Sequence, residues 1–165
     1  MELLRRGLLE GITVAFAGSA PDAVAACGAL GAATPVLAVD LADEDAVAAA
    51  VSALAAPDTL VCATAELDTA FIATRAVANA WIAAERGGKV VLVAPAGDEP
   101  LRAALENLAR TLSVEWARHD IRPTAILPGT TTSADEVAQL VAFLASPAGD
   151  YYSGCGFSLG NAPVA

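Results

Sequence analysis

The sequence predicts a single α/β domain over residues 1–165: a three-layer sandwich built on a mostly parallel sheet of about six strands. Three observations predict it. Short β-branched apolar runs alternate with longer stretches of helical periodicity, the order of repeated βαβ units. The fourth strand run, in GGKVVLVAPAG, is fully apolar, as expected for a strand covered on both faces. A chain of 165 residues is also the size of one domain.

The elements follow in order. ITVAFAG, 12–18, is the first strand, and an Ala-rich helix covers roughly 22–30. PVLAVDL, 35–41, is the second strand, expected beside the first. The helix after it opens with DEDAVAAAVSAL, whose acidic first turn suits the positive end of the helix dipole. TLVCATA, 59–65, is the third strand. The helix over 67–86 puts Leu67, Phe71, Ala78, Trp81 and Ile82 on one face. GGKVVLVAPAG carries a turn and the fourth strand, and Pro100 suits the first turn of the helix over 100–119. There Leu101, Leu105, Leu108, Leu112 and Trp116 form one stripe, while Arg102, Glu106 and Arg110 share a neighbouring face at i, i+4. IRPTAILPG is the fifth strand, SADEVAQLVAFLAS a capped helix and GCGFSLG the last strand.

Composition narrows the function. Nine Lys and Arg against 19 Asp and Glu give a net charge of −10 and a pI of about 4.3. Neither nucleic acid nor an anionic membrane is expected as a partner, since phosphates need cations to neutralise them. Mean hydropathy is +0.55, but alanine carries most of it and no apolar run of ~18 residues marks a membrane helix. The start, MELLRRGLLEG, lacks the long apolar segment of a secretory signal, so a cytoplasmic location is expected. Cys27, Cys62 and Cys155 are far apart with no C-x-x-C pair, which suggests small buried hydrophobes and no metal site. His119 falls at a predicted helix C-terminus as a capping residue. Lys89 is the single lysine, so a chemistry that needs lysine has little to draw on.

The second half is similar to the short-chain dehydrogenase/reductase (SDR) family. AALENLARTLSVEWARHDIRPTAILPG resembles that family's helix and strand after its catalytic tyrosine, ending in the Pro-Gly turn. EVAQLVAFLASPAGDYYSGCGFSLGNA resembles its closing helix and strand. PDTLVCATA looks like the strand that ends Asn-Asn-Ala-Gly in the family, and FIATRAVANAW like the helix after it. The resemblance implies a Rossmann-like fold and NAD(P)-dependent chemistry on a Ser-Tyr-Lys set, with one βα unit and the substrate lid missing here.

The departures from that pattern fall on its working parts. AGSAPDAV stands where the family has Thr-Gly-x-x-x-Gly-x-Gly. Gly18 is kept, Asp22 and Val24 hold the other glycine positions, and Pro21 removes an N–H donor. Cys62-Ala63-Thr64-Ala65 replaces the asparagine tract, with Glu66 at the water-ordering asparagine. Ala94-Pro95-Ala96 occupies the region of the catalytic serine, Asp98 the tyrosine position and Arg102 the lysine position. An aspartate already ionised at neutral pH is no general acid, and arginine is a poor mimic of a ribose-gripping lysine. No catalytic residue is therefore expected. Gly18, Asp40 and Gly129 are the vestige of a cofactor site, able to support at most weak NAD(P) binding. Asp40 aligns either with an adenine-contacting or with a ribose-contacting acid. The reading favoured here is simpler: Asp40, with Asp43, Glu44 and Asp45, starts a helix.

What survives is what the family uses for assembly. The helices over 67–86 and 100–119 correspond to its four-helix interface, and 133–160 to its second one. Phe71, Trp81, Leu105, Leu112, Trp116, Tyr151 and Tyr152 are the interface candidates, although the same helices also cover the sheet. The expected function is a non-catalytic subunit. It would act as a homo-oligomer or as a heteromer with a full-length SDR, whose pocket the segment 151–165 helps to shape. The alternatives are a small nucleotide- or ligand-binding module around Gly18, Asp40 and Pro128-Gly129, and an SDR-derived enzyme using Cys62 or Asp98.

Overall fold

Five apolar runs become strands: β1 (Val14–Gly18), β2 (Thr59–Ala63), β3 (Gly88–Val93), β4 (Ile121–Pro128) and β5 (Cys155–Leu159). In the computed structural model, which describes residues 4–160, they form one parallel sheet in the order β1-β2-β3-β4-β5. The helices are α1 (Pro21–Ala29), α2 (Glu44–Ala53), α3 (Leu67–Ala83), α4 (Glu99–Glu115) and α5 (Ala134–Ala145). Phe16, Val61, Val91 and Ile126 point to the face covered by α1 and α5. Ala15, Leu60, Leu92 and Ala125 point to the face covered by α2, α3 and α4. Successive side chains of β1 to β4 thus meet a helix layer on either side, whereas β5 at the edge alternates between half-buried and exposed residues. Helix ends follow the sequence closely: Ser133 caps α5 in a reciprocal capping box with Glu136.

The expected second strand, 35–41, is not one. The segment does run parallel to β1 on its outer side, but only as two isolated bridges, Thr13 with Ala33 and Phe16 with Val36. The bonds Val14 N–H to Ala33 O and Phe16 N–H to Pro35 O are made. Pro35 has no N–H to return to β1, so the ladder is interrupted between the two bridges. A proline there also blunts what is now an edge of the sheet.

Several interface candidates belong to the core instead. Trp81, Leu105 and Leu112 are buried within the chain. Trp81 packs its ring against Gly88, where an added Cβ would lie 2.3 Å from it, and donates its indole N–H to Pro57 O at 2.6 Å. Trp116 is half-buried against the α4 side of the core, and Tyr152 sits between Phe143 and Phe157 with centroids 6.0 and 5.3 Å away. Only Phe71 and Tyr151 of the set stand exposed. Residues 161–165 of the proposed pocket-shaping segment lie outside the described residues.

The C-terminus of α3 closes with a non-glycine in the left-handed region. Glu85 has φ +51, with Glu85 N–H bonded to Ile82 O and Arg86 N–H to Trp81 O, the paired closure in which glycine is usual. Because the Glu85 side chain is exposed and the conformation costs an L-residue, Glu85→Gly should raise unfolding free energy by up to about 1 kcal/mol in urea titrations.

Candidate functional site

All five helices begin at the end of the sheet where the strands finish, and there the molecule leaves a hollow. It measures about 290 Å³ and lies between the first turns of α1 and α5. Ser19, Pro21 and Asp22 line one side, Thr132 and Ser133 the other, with Ala63, Val93, Ala94 and Pro128 between. A second hollow of about 310 Å³ adjoins it and shares Ser19, Ala63, Val93 and Ala94. Crevices at this edge are where open α/β sheets bind ligands. The loop residues Ser19, Thr132 and Ser133 were not singled out from sequence; their signal is only that they follow directly on β1 and β4.

Gly18 has a packing reason to be glycine. Its φ is +85, and a Cβ would lie 2.1 Å from Ala63 O, where the ends of β1 and β2 close on each other. Ser19 N–H then bonds to Ala63 O at 3.0 Å. α1 starts without a side-chain cap and carries Pro21 and Asp22 in its first turn. Gly129, just beyond the hollow, spends its N–H on Leu159 O at 2.7 Å. Its carbonyl accepts from Thr132 N–H at 3.1 Å, and this tight turn is all that separates β4 from α5. Asp40 is outside the hollow and exposed; it accepts from Ala42 N–H at 3.0 Å just ahead of Asp43, the N-cap of α2.

The residues that the resemblance sets at the Ser-Tyr-Lys positions serve as structural parts. Asp98 is the N-cap of α4 and accepts from Leu101 N–H at 3.0 Å. Arg102 donates through Nη1 to Pro128 O and pairs through Nε with Glu99 at 3.3 Å, so it ties α4 to the end of β4. Ala94, Pro95 and Ala96 carry no hydroxyl. Cys62 is no substitute nucleophile, because burial pushes its thiol up to about 12, and the same burial holds Cys27 at about 12. Iodoacetamide at pH 8 should therefore label Cys155 in the folded protein and reach Cys27 and Cys62 only after unfolding, as read by peptide mass spectrometry.

Electrostatics oppose a dinucleotide here. Acids stand in the first turn of every helix: Asp22 in α1, Glu44 and Asp45 in α2, Asp68 in α3, Glu99 in α4, Asp135 and Glu136 in α5. They complement the helix dipoles and, because all helices start at this edge, gather their charge around the hollow. A pyrophosphate would meet the Asp22 carboxylate on a helix whose first residue, Pro21, offers no N–H. These residues do not fit the phosphates of NAD(P). Among the described residues no cluster of side chains could hold a metal ion, and no helix is long and apolar enough to cross a membrane.

The chain was compared with known proteins. No protein-family model matches it, and no curated protein matches it significantly. Solved structures do. A 2-keto-3-deoxy-D-gluconate dehydrogenase from Streptococcus agalactiae is 16% identical with a TM-score of 0.77, over 91% of this chain and 92% of the other. A short-chain type dehydrogenase/reductase from Mycobacterium marinum is 19% identical with a TM-score of 0.78, over 92% and 94%. The fold is that of these enzymes.

Proposed function

We propose that this chain, with its short-chain dehydrogenase/reductase fold, is a non-catalytic cytoplasmic subunit that works by assembly, either with itself or with a full-length active dehydrogenase of the same fold. The observation that carries this reading is the structural use of the catalytic positions. Asp98 caps a helix, Arg102 holds the Pro128 carbonyl, and the segment after β3 has no hydroxyl. Proton transfer to a carbonyl then has no positioned donor. Assembly is favoured by apolar side chains left in solvent along the outer side of α3 and α4: Leu67, Phe71 and Val114, the last 76% exposed, with Tyr151 at 90% before β5. A reducing compartment agrees with three unpaired cysteines.

Native mass spectrometry of the tagged protein captured from its host's lysate tests this. The expected result is a complex whose added mass is a second copy or an identifiable dehydrogenase. With NADH and NADPH alone the purified chain is expected to turn over no carbonyl substrate. A protein that stays monomeric and captures no dehydrogenase overturns the reading. A ligand-binding module at the hollow is the second reading, and a thermal shift with millimolar NAD(H) or NADP(H) would favour its nucleotide form.

A further inference from the structure

We draw no further inference here: the strongest candidate, the apolar groove of about 330 Å³ beside α5 and the edge strand β5, lined by Leu4, Leu140, Phe143 and Leu159, carries none because nothing in the structure shows what covers it.

Discussion

Lys89→Met should lower the unfolding free energy by about 2–4 kcal/mol, although Lys89 lies far from any candidate site chemistry. The single lysine of the chain is buried on β3, where its Nζ donates to Ala145 O at 2.8 Å and Ser146 O at 2.7 Å and pairs with Asp150 at 2.9 Å. Those carbonyls belong to the last residue of α5 and to its C-cap, Ser146, and have no partner inside the helix. A cation at this end also meets the negative pole of the dipole. Methionine keeps much of the volume and removes all three interactions, so the Ala145 carbonyl loses its donor in a buried setting, Ser146 O keeps only Gly149 N–H, and the turn Pro147–Tyr151 loses its tie to β3. For a domain of this size the loss corresponds to a melting temperature lower by roughly 5–12 °C. Asp150→Asn should cost less than about 1 kcal/mol, since that carboxylate is half-exposed and its pairing is screened. A change below about 0.5 kcal/mol for Lys89→Met would mean that water replaces the ammonium at the end of α5.

Lys89 also shows where sequence reading stops. Its place on a strand is legible, because GGKVVLV is a continuous apolar run; its partners are not, because they sit 56 and 57 residues further on. Four of the strands read correctly, β1 to β4, are buried over most of their length between helix layers, whereas β5 at the sheet edge is half-buried in alternation. The one misread, 35–41, has the right side chains and the wrong backbone, since one proline removes the N–H that a ladder needs. Trp81 and Leu105 were read as interface anchors because a stripe on a helix does not say whether sheet or partner covers it, and here the sheet does; Leu112 is buried within the chain as well. At the site, the resemblance located Asp98 and Arg102, but only the fold brings Arg102 to Pro128, 26 residues away. Asp22 was legible as an obstacle to phosphate, whereas the apolar hollow it borders depends on α1 and α5 meeting across the sheet.

Gly18→Ala separates the two reasons for a glycine at the end of β1. If the residue served a phosphate, the substitution would disturb nucleotide binding and leave the fold intact. The backbone argues otherwise. At φ +85 a side chain is strained, and the new Cβ would lie 2.1 Å from Ala63 O and 2.7 Å from Ala63 C, atoms of β2 that cannot turn aside as a flexible side chain could. Relief requires β1 and β2 to separate at the top of the sheet, at the cost of the Ser19 N–H to Ala63 O bond. About 3 kcal/mol of stability should be lost, or roughly 6–12 °C in melting temperature, with the response to NAD(H) and NADP(H) the same as that of the parent. Stability within about 0.5 kcal/mol of the parent, together with lost nucleotide affinity, would restore the phosphate explanation and make Gly18 part of a working cofactor loop.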